Sequence, residues 1–394
     1  MKEFLKYCLK KTLTFGLHIF WIFSICNNKI LFINEHSYSF SDNLKYLSLY
    51  LIEKDQKKYR IYFSLKDKTD IGDLPIKSVN IFSLKHFYHA LTSSVLITNA
   101  GGISYLPLRR KQLVISTWHG GGPYKVSGVS AIHGYWYEKE TEYNAKKVDY
   151  ILSSCRVFTE EEAPGMYYKP DQIINCGMPR MDFFFNNDAM GLIHDKVYRS
   201  FDIPEQAKFV IYMPTFRGIF EDYQGVITDD MLEIDCQRLL SALRKRFGGE
   251  WKFAIRLHPR LRDAKFKNNS LINMSYYPDA EELLMAADVL VTDYSSVMWD
   301  FSFSKKPVFL FATDINDYQV KRGFYIPPDE WPFPLASTND EMVENIRNFE
   351  YESYQKRVEA HHEAVGSYEI GKACQTVKSK IDEHIKKLEQ KLTQ

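Results

Sequence analysis

The chain has 394 residues, 45% hydrophobic and 26% charged, with a formal net charge of +1. That length is too great for one ordinary core and calls for two domains of somewhat under 200 residues. The composition is ordinary for a soluble globular protein, and the near-zero charge carries no global signature of a nucleic-acid binder. Six scattered cysteines form neither a C-x-x-C pair nor a zinc-like Cys/His cluster, and read as reduced, mostly buried thiols of a cytosolic protein.

The N-terminal stretch MKEFLKYCLKKTLTFGLHIFWIFSICNNK opens with four lysines and one glutamate, then runs uncharged from Thr12 to Asn28. It lacks a clear small-residue cleavage site and is shorter than the roughly 20 strongly apolar residues of a spanning helix. Two readings remain for residues 1–28: a basic, aromatic-rich helix in a membrane interface, or a helix packed on the first domain.

Short β-type runs follow at 29–34, 59–65, 94–100, 113–118 and 150–155, and again at 208–215, 251–259, 288–296 and 306–312. Most are continuously apolar, as strands buried on both faces are. Helical patterns lie between them, for example at 230–247 and 279–289. Alternating strands and helices predict parallel sheets built from right-handed βαβ units. The two series, separated by a less regular stretch at 183–205, predict an α/β fold of two Rossmann-like domains facing a central cleft, the glycosyltransferase-B architecture. The expected divisions are 29–195, 196–366 and a final amphipathic helix over 367–394.

Open α/β sheets bind ligands outside the carboxyl ends of their strands, and polar motifs fall there repeatedly. Trp118-His119-Gly120-Gly121-Gly122 follows one strand. The histidine either caps a strand end or does chemistry, and glycines leave the backbone open to close approach. Thr215-Phe216-Arg217 and Arg256-Leu257-His258 follow two others; arginine supplies a planar bidentate donor for phosphate. Asp293-Tyr294-Ser295-Ser296 leads into a helix expected to start at Ser295 or Ser296, an arrangement suited to an anion or to simple capping. Asp300 lies one turn on. Arg180 sits near the domain boundary, and Lys321 and Arg322 follow the strand at 306–312.

Other signatures fail. GSYEIGKA at 366–373 ends in Ala373 where a phosphate-binding loop needs Ser or Thr. HGGG occurs without a G-x-S-x-G nucleophile elbow. There is no H-E-x-x-H and no D-x-D, so the chemistry reads as metal-independent, without cofactor.

Taken together, TWHGGGPYK, GMPRMD, MPTFRG, IRLHP and ADVLVTDYSSVMWDFSFSKKPVFLFATDINDYQVKRGFY resemble the CDP-glycerol glycerophosphotransferase family, the teichoic acid and capsule polymer transferases. The resemblance covers roughly residues 90–375. It implies a glycosyltransferase-B-like fold that moves a polyol phosphate from a CDP-polyol to an acceptor hydroxyl and releases CMP. It implies work at the cytoplasmic membrane face on acceptors that include lipid-linked ones. His119 would be the catalytic base. Trp118, Gly120, Gly121, Gly122, Arg180, Thr215, Arg217, Arg256 and His258 would line the donor site. Ser295 and Ser296 would hold the diphosphate with Asp300 close by, and Lys321 and Arg322 would add phosphate contacts. The family's commoner loop reads W-H-G-T-P-L-K, so the W-H-G-G-G-P-Y-K found here leaves glycerol or ribitol phosphate, and wall teichoic acid or capsule, open. Two alternatives stand beside this reading: a CMP-sialic acid-dependent transferase of the same architecture, and a non-catalytic membrane-bound scaffold.

Overall fold

A computed structural model describes residues 2–34, 39–66, 71–128, 134–215, 226–227, 232–257, 261, 265–267 and 271–393. The chain divides into two compact units. The first comprises Met1–Gly120, Ser127–Phe185 and Ser367–Gln394; the second comprises Gly121–Val126 and Asn186–Gly366.

The first unit is built on a seven-stranded sheet. Its strands are β1 (Cys26–Ile33), β2 (Arg60–Leu65), β3 (Ile76–Asn80), β4 (Ser93–Thr98), β5 (Leu113–Ser116), β6 (Tyr150–Ser153) and β7 (Ile173–Asn175). The order is β3-β2-β1-β4-β5-β6-β7, and every pairing is parallel. The apolar runs have the cause expected of them: Ile30, Leu31, Phe32, Ile33, Val95, Leu96 and Ile97 are all fully buried. The order reverses between β1 and β4, so the crevice at this sheet's carboxyl edge opens there.

The second unit holds β8 (Lys208–Tyr212), a small pair of β9 (Val226–Ile227) with β11 (Lys265–Phe266), β10 (Trp251–Ile255), β12 (Ile272–Asn273), β13 (Val289–Thr292), β14 (Val308–Phe311) and β15 (Leu335–Ala336). Its main sheet runs β12-β10-β8-β13-β14-β15, again parallel throughout, and reverses between β8 and β13.

Two features depart from a simple halving of the chain. Residue 195, the expected boundary, lies inside the helix Asn187–Ser200, and Asn186, whose side chain accepts from the Ala189 N–H, begins the second unit. The last helix, Ala373–Thr393, returns to the first unit. Asp182 fixes its start by accepting from the N–H groups of Ala373 (3.0 Å) and Cys374 (2.8 Å). An acidic acceptor at a helix N-terminus satisfies donors that have no partner within the helix.

The N-terminal helix spans Lys2–Leu17 and continues as a short 3₁₀ turn over His18–Ile22. Its inner side docks on the first unit: Leu17 is buried, Thr14 Oγ1 donates to the Tyr105 carbonyl (2.9 Å), and Trp21 Nε1 donates to the Pro107 carbonyl (2.8 Å). Its outer side leaves Leu9, Phe15, Ile19 and Ile22 exposed. Among the described residues no helix is long and apolar enough to cross a membrane. Four cysteines (Cys155, Cys176, Cys236 and Cys374) are buried, and burial pushes the Cys155 thiol up to about 12.

Buried neutral histidines tie parts of the second unit together. His361 stacks on Tyr124 and shares a 3.1 Å hydrogen bond with its hydroxyl, while His362 pairs with Ser302 Oγ at 2.7 Å. Burial lowers both to about 4, against roughly 6.5 for an ordinary histidine. Between those values the unfolded chain binds more protons, so this stabilisation is complete above about pH 6.5 and is lost as pH falls toward 4. Urea unfolding should therefore show stability declining from pH 7 to 5, and His361→Gln should flatten that slope. An unchanged slope would remove His361 as a cause.

Candidate functional site

The carboxyl edge of the first sheet carries a connected polar network. Asn34 follows β1, Asn99 follows β4, and Thr117-Trp118-His119 follows β5. Asn99 Nδ2 donates to Asn34 Oδ1 (3.0 Å) and Asp42 Oδ2 (2.7 Å). The other Asp42 oxygen accepts from Arg180 Nη1 at 2.9 Å. The same Arg180 nitrogen donates to the main-chain oxygen of His119 (3.1 Å). Asn43 completes the ring: its Oδ1 accepts from Arg180 N, and its Nδ2 donates to the Trp118 carbonyl at 3.1 Å.

The backbone makes its own contribution. Trp118 has φ +55° and Asp42 has φ +62°, left-handed conformations that residues with a Cβ adopt at a cost. The hydrogen bonds just described hold both. The resulting turn brings His119 Nδ1 within 3.1 Å of the Asn99 carbonyl. A carbonyl only accepts, so Nδ1 carries the proton and the imidazole lone pair lies on Nε2. Arg180, a donor-site candidate by resemblance, is 1% exposed and bonded to Asp42 and the His119 carbonyl. Removing either member of such a buried pair costs about 3–5 kcal/mol.

The loop after β5 leaves the first unit at Gly120 and continues in the second from Gly121. Its three glycines are not equivalent. A Cβ on Gly120 would meet only the Trp118 ring, at 3.4 Å. One on Gly121 would lie 2.5 Å from Trp299 Cδ1 and 2.9 Å from Asp300 Oδ1. One on Gly122, at φ +74°, would lie 2.7 Å from Tyr124 Cε2 and 2.9 Å from Trp299 Cβ. Trp299 and Asp300 are buried on the helix Val297–Ser302, so glycine at 121 and 122 is a packing requirement.

At the second sheet's reversal, Asp293 organises the carboxyl edge. Its Oδ2 accepts from Thr215 N (2.8 Å) and Thr215 Oγ1 (2.6 Å), and its Oδ1 accepts from Ser295 N (3.0 Å). Ser295 and Ser296 are half-buried; Ser296 is the helix N-cap, yet its hydroxyl makes no capping bond. Arg256 is half-buried, Nη1 donating to the Tyr277 carbonyl at 2.5 Å, and burial lowers its pKa against the pull of Glu281 and Asp279. Lys321 and Arg322 are exposed at the end of the helix Ile315–Lys321, with Arg322 Nε donating to the Val126 carbonyl (3.1 Å). Arg217 and His258 lie outside the described residues. Asp42, Asn43 and Asn99 have no place among the sequence candidates, and Asp293 entered only as the end of a strand. A lone Asn or Asp at a strand end has a sufficient explanation as a turn former.

Residues 17–383 match the CDP-Glycerol:Poly(glycerophosphate) glycerophosphotransferase family. The chain belongs to this family. It is 26% identical over 347 residues to a teichoic acid poly(ribitol-phosphate) polymerase of Bacillus spizizenii, covering 86% of this chain and 54% of that protein. It is 28% identical over 374 residues to a teichoic acid poly(glycerol phosphate) polymerase of Staphylococcus epidermidis, covering 91% and 51%. The chain thus spans about half the length of these relatives. A solved structure of a variant of the wall teichoic acid polymerase TagF, soaked with CDPG, matches 98% of this chain and 98% of its own, with TM-score 0.84 and 25% identity. That likeness bears out the glycosyltransferase-B-like α/β fold, and family membership separates the chain from the sialyltransferase alternative.

The glycine geometry makes a graded prediction. Gly120→Ala should change stability by no more than about 0.5 kcal/mol. Gly121→Ala and Gly122→Ala should each destabilise by about 1–3 kcal/mol, through overpacking. Thermal unfolding of the three variants checks the order; equal effects would contradict it.

Proposed function

We propose that the chain transfers glycerol phosphate, or another polyol phosphate such as ribitol phosphate, from a CDP-activated donor to a hydroxyl of a teichoic-acid-like or capsular polymer. The acceptor oxygen attacks the polyol-bearing phosphorus, the P–O bond to the CMP phosphate breaks, and CMP leaves. The attacking hydroxyl's proton passes to His119. The single observation that carries this reading is the 3.1 Å approach of His119 Nδ1 to the Asn99 carbonyl oxygen, which in a neutral ring sets the lone pair on Nε2. A neutral imidazole is the side chain best matched to proton removal near neutral pH.

The donor is assigned to the second unit. Thr215 and Ser295 bond to Asp293 and Ser296 is the N-cap of the helix that follows, so two serine hydroxyls and nearby main-chain N–H groups are available to phosphate oxygens. Arg217, Arg256, His258, Lys321 and Arg322 supply positive charge as the leaving phosphate develops its own, and Asp300 lies close to the donor; in this reading no metal takes part. The acceptor is assigned to the first unit and includes lipid-linked polymers. Leu9, Phe15, Ile19 and Ile22, exposed on a helix that also carries Lys10 and Lys11, support a peripheral contact with an anionic membrane surface at the cytoplasmic face.

The primary test is CMP release and product mass with CDP-glycerol and CDP-ribitol on a phosphorylated acceptor. General-base catalysis contributes about 10²–10⁴-fold, so His119→Ala should lower kcat by that factor with CDP-glycerol affinity unchanged. Normal turnover in the variant would exclude the base role.

The membrane reading is tested separately. Because β1 begins at Cys26, point changes are cleaner than deletion. Phe15→Ser/Ile19→Ser/Ile22→Ser should reduce sedimentation with anionic liposomes and leave turnover on a soluble acceptor intact. Undiminished sedimentation would refute it.

A further inference from the structure

Asn99 does two things at once at the β1/β4 reversal. Its main-chain oxygen accepts from His119 Nδ1, and its side chain, fully buried, is fixed in orientation. The nitrogen must face Asp42 Oδ2 and Asn34 Oδ1, since both of those oxygens accept. Asn99 Oδ1 therefore points away from them, and among the described residues it has no hydrogen-bond partner. Buried side-chain oxygens are rarely left in that state without a functional reason.

The chemistry of this oxygen narrows what it would take. It only accepts, and the Asp42 carboxylate lies against the other end of the same amide. A phosphate oxygen would find no donor there. A hydroxyl would find an acceptor. We infer that Asn99 Oδ1 is the subsite for a polyol hydroxyl of the acceptor terminus, adjacent to the hydroxyl that His119 deprotonates. The inference rests on the proposed transfer reaction and adds to it how the acceptor is recognised. A terminal glycerol or ribitol unit carries neighbouring hydroxyls. One donates to Asn99 Oδ1; the other gives its proton to His119 Nε2 as its oxygen bonds to phosphorus and the bond to CMP breaks. Because the oxygen is covered in the structure, the acceptor reaches it only when the surrounding segments part, which makes acceptor binding an induced-fit step.

The test pairs a variant with an acceptor lacking the recognised hydroxyl. Soluble acceptors ending in glycerol phosphate and in 1,3-propanediol phosphate are compared on the wild type, Asn99→Ala and Asn99→Ser. A neutral hydrogen bond to an otherwise unsatisfied buried group is worth about tenfold in binding. The wild type should show acceptor KM about tenfold higher for the propanediol end. Asn99→Ala should already show the raised KM with the glycerol end and no further rise with propanediol. CDP-glycerol affinity and thermal unfolding report whether each variant is folded, and Asn99→Ser serves if the alanine variant is not. If the folded variants keep the wild type's preference for the glycerol end, or the wild type has none, the inference is overturned. A wild type that releases no CMP with either acceptor defeats the transfer reading itself, a result distinct from loss of the preference.

Discussion

A guanidinium and a carboxylate meet, nearly out of water, where the strand order of the first sheet reverses. Arg180 and Asp42 lie 2.9 Å apart, and the remaining geometry of that edge depends on them. Two buried charges need each other and a full set of hydrogen bonds. Asn99 supplies one bond to the carboxylate, and the His119 carbonyl accepts one from the guanidinium. The stabilisation of the pair is thereby coupled to the turn at Trp118 and to the direction of the His119 ring. A solvated histidine would choose its tautomer by small differences; this one has the choice made by the Asn99 carbonyl.

The second sheet has its own buried carboxylate at the corresponding place. Asp293 sits at its reversal point and accepts three hydrogen bonds, two from Thr215 and one from the Ser295 N–H. Both carboxyl edges are therefore held by a buried aspartate that gathers the segments following neighbouring strands. Trp299, next on the helix after that edge, fills the space beside Gly121 and Gly122. Glycine at these two positions thus has a steric partner within the same chain.

The sheets were legible because strands buried on both faces carry unbroken apolar runs, such as Ile30–Ile33 in β1, Val95–Ile97 in β4, Phe209–Tyr212 in β8 and Val289–Val291 in β13. The short β7 and the mostly polar β3, Ile-Lys-Ser-Val-Asn, give no such signal. His119, Thr215, Ser295 and Ser296 stood out because polar residues ended apolar runs. The partners that position them did not. Asp42 and Asn99 act across 57 residues of sequence, and Arg180 reaches Asp42 across 138. Nothing local distinguishes such residues from turn formers. The membership of Gly121–Val126 in the second unit and the return of the last helix to the first depend equally on distant contacts.

Proton transfer at this edge depends on the state of one imidazole, and nitrogen NMR of protein labelled in its 11 histidines reads that state directly. The His119 signals are assigned by their loss in His119→Gln. Above the pH at which the ring titrates, Nδ1 should appear protonated and Nε2 bare, because the Asn99 carbonyl accepts from Nδ1. A ring protonated on Nε2 with Nδ1 bare would set a lone pair against that carbonyl and contradict the proposed positioning of the base.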